Sequence, residues 1–213
     1  MTPNRLLDVA IAAFGYHGLE GASTRQIAGA ADSAMSAITY HYGGKEGLYL
    51  AAADRIAETL AEGMAVHVDG ADTIAPGDCL AARAKLQAIF RLLSEKMTDD
   101  GTADHSRFIL REQMNPTAAF DRIYDGFLEH IFGTLATLVV IATGADRRTA
   151  AIVTSALVGQ AMSPRSSKAS LLRQLGLRHY DAEIRAAIQS CLAANVDAML
   201  DGLAANNRPK DLS

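Results

Sequence analysis

The chain has 213 residues, enough for one large domain or two small ones sharing a core. Apolar residues make up 49 % and aromatics only 6 %, with 5 prolines and no tryptophan, which points to an all-α protein with an aliphatic, alanine-rich core. The net charge of −4 does not advertise a nucleic-acid binder, and the two isolated cysteines, Cys79 and Cys191, fit neither a metal site nor a disulfide scaffold. The N-terminus lacks the order of a secretory leader. The longest apolar stretch, Phe127 to Thr143, is interrupted by Glu129 and His130 and falls short of the roughly 18 residues a membrane span needs. A soluble, cytoplasmic protein without a membrane partner is expected.

Leu7, Ala10, Ile11 and Phe14 fall at i, i+3, i+4 and i+7, the apolar stripe of a first helix that should end near Gly15 to Gly18. Ser23 or Thr24 can cap a second helix with Ile27, Ala28 and Ala31 inward, and Asp32 with Ser33 makes a turn. A third helix, Ala34 to Tyr42, has two faces: Ile38 and Tyr42 on one, Ser36, Thr39 and Tyr40 on the other. Gly43 and Gly44 end it, and a long helix follows from Lys45 to Val66. Two short helices around a tight turn are built to push the second into a DNA major groove.

Beyond a Gly-, Pro- and Asp-rich loop at Asp69 to Asp78, the spacing predicts a helix over Cys79 to Met97 with Leu86, Ile89, Phe90 and Leu93 inward. Further helices are predicted at Asp104 to Gln113, Pro116 to Thr143, Arg147 to Met162, Arg165 to Leu175 and Asp181 to Ala205, with a break at Ser163-Pro164, either a kink or an irregular Pro164 to Lys168, because proline removes a backbone donor. The tail from Asn206 is expected to fray. Arg107, Arg111 and Glu112 lie within one and a half turns. They form either a surface salt-bridge set or, through Arg107 or Arg111 with Gln113 and Gln160, the polar groups of a ligand pocket. Its apolar walls would come from Leu86, Phe90, Phe108, Phe127 and Ile131. The apolar face of the last helix, along Ile184, Ile188, Leu192 and Leu203, predicts a homodimer through a four-helix interface.

The stretch STRQIAGAA followed by AITYHYGGKEGLY resembles the TetR/AcrR family of one-component repressors, whose recognition helix closes on an aromatic run before Gly-Ser-Lys-Glu. Farther on, RFILREQMNPTAAFDRIYDGF, the ALVGQ run and LLRQLG resemble the C-terminal domain of the CecR/YbiH-like branch of that family. The resemblance implies a helix–turn–helix domain at 1–46, joined by a long helix to a ligand-binding and dimerisation domain at 47–213. It places Ser36, Ala37, Thr39 and Tyr40 at base edges and sugar-phosphate, and Thr24, Arg25, His41 and Lys45 at phosphates. The implied candidates for an effector pocket are Phe90, Arg107, Phe108, Arg111, Gln113, Phe127 and Gln160. The partners implied are a double-stranded DNA operator, a second copy of the chain and a small-molecule effector, with no cofactor. Asp32 and Gly44 depart from the family's turn glycine and capping serine, Ser33 and Met35 also differ, and Ser163 to Lys168 replaces an apolar stretch of the branch.

Residues 1–48 carry only Arg5, Arg25 and Lys45 against four acids, and counterion release from bases supplies most non-specific DNA affinity. That balance supports the alternative of a helical ligand-binding or adaptor dimer without DNA binding. Catalysis has little support: His17 with Glu20 and His179 with Glu183 belong to no four-ligand metal set, and no phosphate loop or nucleophile elbow is present.

Overall fold

The computed structural model describes residues 3–207, and among these no strand occurs. Their packing divides them into two compact units, one made of residues up to Met64 with Gly101–His130, the other of Ala65–Asp100 with the residues from Ile131 on.

The first unit begins with α1 (Pro3–Gly21), which runs past the expected end through a non-helical Gly18 at φ 70°. Its buried stripe is Leu6, Ala10, Ile11 and Phe14; Leu7 lies beside the stripe, half-buried. Ser23 caps α2 (Thr24–Ala30), accepting from the Gln26 N–H. The turn then closes as a double bond pattern, Asp32 N–H to Gly29 O at 3.2 Å and Ser33 N–H to Ala28 O at 2.8 Å. That geometry places Asp32 in the left-handed region at φ 51°, where aspartate is tolerated less well than glycine, and an ion pair from Arg5 at 2.5 Å holds it there. The next helix, α3 (Met35–Tyr42), ends on Gly43 at φ 73°, and α4 (Lys45–Val68) starts two residues later. Gly47 is obligatory at that corner, since a Cβ there would lie 1.7 Å from the Tyr42 carbonyl oxygen.

This unit also contains α6 (Ala103–Met114), α7 (Ala118–Ile123) and a π-helical turn at Tyr124–Leu128. Gly15 lets α6 approach α1 closely: a Cβ would meet Asp104 O at 3.3 Å. The single helix expected from Pro116 starts later and is interrupted by the π turn. Thr117, not Pro116, sits at its start and caps α7 by accepting from the Ala119 N–H. At the π turn Gly126 faces Ala57 so closely that a Cβ would stand 2.9 Å from the alanine methyl.

In the second unit, α5 (Cys79–Thr98) packs with α9 (Arg147–Ser166) and α11 (Ala182–Asn207). Helix α8 (Glu129–Thr143) buries Ile131, Leu135, Leu138 and Val139. With α7 and the π turn it completes a helical run, Ala118–Thr143, that is long and apolar enough by composition to cross a membrane, contrary to the expectation that no stretch reaches that length. Its buried apolar residues mark it as a core helix.

The expected break at Ser163-Pro164 comes three residues later, inside the segment Pro164 to Lys168 that the proline was expected to disturb. Helix α9 continues through Pro164 to Ser166, and the interruption falls at Ser167, before α10 (Lys168–Leu175). Pro164 sits in the last turn, where the chain is held by side-chain bonds: the Tyr180 hydroxyl donates to Pro164 O at 2.8 Å, and the Arg165 guanidinium donates to the carbonyls of Lys96 and Asp99 at the end of α5. The Lys168 ammonium pairs with Asp100, holding that carboxyl below its ordinary value. The polar segment Ser163 to Lys168 thus fastens the ends of α5 and α9.

Candidate nucleic-acid interface

Ile38 is the buried anchor of α3, and Tyr42, half-buried one turn on, has its phenol pushed up by burial. The opposite arc is open. Ser36, Thr39, Tyr40 and His41 are exposed, Tyr40 at 85 %, and Ala37 is half-exposed beside them. The Tyr40 and His41 rings meet edge to face at 4.9 Å. Thr24 opens α2, half-buried, and Arg25 next to it is exposed. Lys45 is half-buried, and its ammonium donates to Glu20 O at 2.9 Å near the end of α1. Met35, which the spacing did not single out, stands 55 % exposed at the start of α3.

The head is fixed to α6 by a buried aromatic and polar set. Phe14 meets the Tyr49 ring edge-on at 4.8 Å, and Tyr49 lies on Phe108, also at 4.8 Å. The Tyr49 hydroxyl donates to Glu112 Oε1 at 2.5 Å; Glu112 Oε2 accepts from the Thr117 N–H at 3.0 Å and its hydroxyl at 2.9 Å. Glu112 is 1 % exposed, so it belongs to no surface salt-bridge set with Arg107 and Arg111. Burial foremost, then the Glu112 hydrogen bond and charge, push the Tyr49 phenol far up, so it remains a donor at any working pH. One signal for this pair was legible: Phe108 and Glu112 are i, i+4, a carboxylate on a buried stripe.

Of the effector candidates, Arg107, Phe108, Arg111, Gln113 and Phe127 lie in the first unit, Phe90 and Gln160 in the second. Arg107 pairs with Asp104 at 2.6 Å and covers the Tyr16 ring at 3.7 Å. Arg111 donates to the carbonyls of Gly15 and Tyr16 and packs over Gly18. Gln113 is exposed, and Phe108, Phe127 and Phe90 are buried. Gln160 accepts from Asn195 at 3.0 Å and lines a groove of about 900 Å³ between α9, α10 and α11, whose other walls include Ile184, Ile188 and Met199. Phe90 borders a groove of about 490 Å³ between α5 and α11. Among the described residues no group of three or more His, Cys, Asp or Glu is placed to hold a metal ion.

Comparison with known proteins agrees with this architecture. Residues 6–52 match the model of the tetR family of bacterial regulatory proteins, and residues 82–203 match the C-terminal domain of the HTH-type transcriptional dual regulator CecR. The chain is 32 % identical to the HTH-type transcriptional dual regulator CecR of Shigella flexneri, over 93 % of this chain and 91 % of that one. In fold it is similar to a transcriptional regulator of Pseudomonas aeruginosa PAO1, with a TM-score of 0.68 and 22 % identity over 98 % and 96 % of the two chains. It is similar also to the regulator FadR of Bacillus subtilis, solved in complex with stearoyl-CoA, with a TM-score of 0.63 and 16 % identity over 95 % and 98 %. By the matches to both its halves and the identity along nearly its whole length, the chain belongs to the TetR family of transcriptional regulators, with a C-terminal domain of the CecR type.

Proposed function

We propose that the chain is a cytoplasmic, ligand-responsive repressor that binds a pseudo-palindromic operator as a homodimer, each protomer laying α3 in one major groove. The observation that carries this reading is the exposed arc of Ser36, Thr39, Tyr40 and His41 on a helix whose other side is anchored by Ile38. Arg25 and Thr24 are placed by the same reading on phosphates, which hydroxyls and guanidinium groups contact without regard to sequence. Lys45, engaged with Glu20 O, has donors left for a phosphate as well.

Support for the dimer comes from the apolar groove along α9, α10 and α11, where Ile184, Ile188 and Met199 stay partly exposed, and from Ile152, 63 % exposed elsewhere on α9. A second copy supplying the same face would cover it isologously. For the effector, Gln160 and Phe90 remain candidates on the two grooves of the second unit, and Arg107, Arg111, Gln113, Phe108 and Phe127 remain candidates within the first. Control then requires that the effector bind the DNA-incompetent spacing of the two heads more tightly than the competent one.

The test is a salt series on a candidate operator with light scattering alongside. Tyr40→Ala should lower affinity by about 1–3 kcal/mol in total across both protomers, from ~0.5–1.5 kcal/mol per neutral hydrogen bond, with no loss of fold. Arg25→Ala should weaken binding to all sequences alike and reduce the salt slope by about one for each phosphate it no longer neutralises. Tyr40→Ala binding as tightly as the parent, or a monomer at micromolar concentration, would sink the reading.

A further inference from the structure

Helix α3 reads Met-Ser-Ala-Ile-Thr-Tyr-His-Tyr. It carries none of the side chains that name a base by a bidentate or charged contact: no Arg or Lys for guanine, no Asn or Gln for adenine, no Asp or Glu for cytosine. Its hydroxyls, on Ser36, Thr39 and Tyr40, both donate and accept, so each tolerates several base edges. His41 offers one ring nitrogen to a purine N7, which adenine and guanine share. Arg25 and Lys45 lie on other helices.

What remains on α3 with a preference for one base is carbon. Met35 is 55 % exposed, Ala37 is half-exposed, and Thr39 carries a methyl beside its hydroxyl on the open arc. In the major groove such groups meet the C5-methyl of thymine, which no other standard base presents. The charge balance points the same way, because three bases against four acids in residues 1–48 leave little affinity to phosphate attraction alone.

We infer that this regulator reads its half-site chiefly through the 5-methyl groups of pyrimidines, with Met35, Ala37 and Thr39 as the readers. The inference rests on the DNA-binding reading above and adds the chemistry of the recognised sequence. It makes 5-methylcytosine a mimic of thymine at the contacted positions.

The full-length protein is used to select sites from a random duplex library, and the enriched half-site is remade with deoxyuridine for thymidine, one position at a time. Each contacted methyl removed should weaken binding about fourfold, the worth of one buried methyl-sized group, and roughly fifteenfold when the symmetric pair is replaced together. Where a thymine is exchanged for cytosine, methylation of that cytosine at carbon 5 should recover most of the loss. Met35→Ala should abolish sensitivity to uracil at one position and leave it at the others; Met35 is exposed, so its truncation spares the core. Unchanged affinity for a fully uracil-substituted half-site, or half-sites of G·C pairs indifferent to methylation, would overturn the inference and leave DNA binding standing. Enrichment of no sequence at all would refute DNA binding itself, and the inference with it.

Discussion

Removing the Tyr49 hydroxyl tests how the reading head is held to α6. Three donors converge on Glu112, from Tyr49 at 2.5 Å and from Thr117 at 3.0 and 2.9 Å, and the residue is 1 % exposed. Tyr49→Phe keeps the ring between Phe14 and Phe108 and deletes one donor to a carboxylate that water cannot reach. A hydrogen bond to a charged group is worth about 1.5–3 kcal/mol, so a loss near ~2 kcal/mol is expected. For a chain of this length each kcal/mol moves the midpoint by about 2–4 °C, which puts the shift at roughly 4–8 °C. Glu112→Gln should cost less, about 1 kcal/mol, because the amide oxygen can face the Thr117 N–H while the Tyr49 hydroxyl turns to accept from the amide nitrogen. The two changes made together should fall short of additivity by about 1 kcal/mol. Thermal and urea unfolding followed by circular dichroism provide the measurement. A Tyr49→Phe midpoint within about 1 °C of the parent, or strict additivity, would refute the argument that this carboxylate depends on the phenol.

Gly47→Ala should destabilise by on the order of 3 kcal/mol, because its methyl would occupy the place of the Tyr42 carbonyl oxygen. Gly63→Ala, in the same helix with open space around it, should stabilise by about 0.5–1 kcal/mol, and paired urea titrations compare the two. Burial pushes the His105 imidazole below its ordinary 6.5, against the opposing pull of Asp8 and Asp104. The unfolded chain therefore takes up the proton more readily, and stability should fall as pH drops from 6.5 through the lowered value; His105→Gln should flatten that part of the stability–pH curve. Arg165→Met should weaken the second unit by leaving carbonyls of Lys96 and Asp99 without its guanidinium, read as faster amide exchange at the end of α5.

Much of the reading head was legible because its determinants are local. Apolar residues three and four apart, a serine cap, an Asp-Ser turn and a Gly-Gly stop each act within one or two turns of chain, so the pattern alone determined the first three helices and the open arc on the third. The sequence likewise marked Pro164 as a threat to its helix, since proline always removes a donor. Whether the helix breaks there was decided elsewhere, by Tyr180 and by the end of α5, groups distant in sequence that hold the last turn together. The same holds for Glu112, which shares a stripe with Phe108 but is buried only because Tyr49 and Thr117 close over it, and for Gly126, which faces the Ala57 methyl too closely for a Cβ. Spacing along a helix reports which residues share a face. Which distant backbone or side chain meets that face, and so whether a charge is buried or an arginine is engaged by a carbonyl, follows only from the packing of helices far apart in the chain.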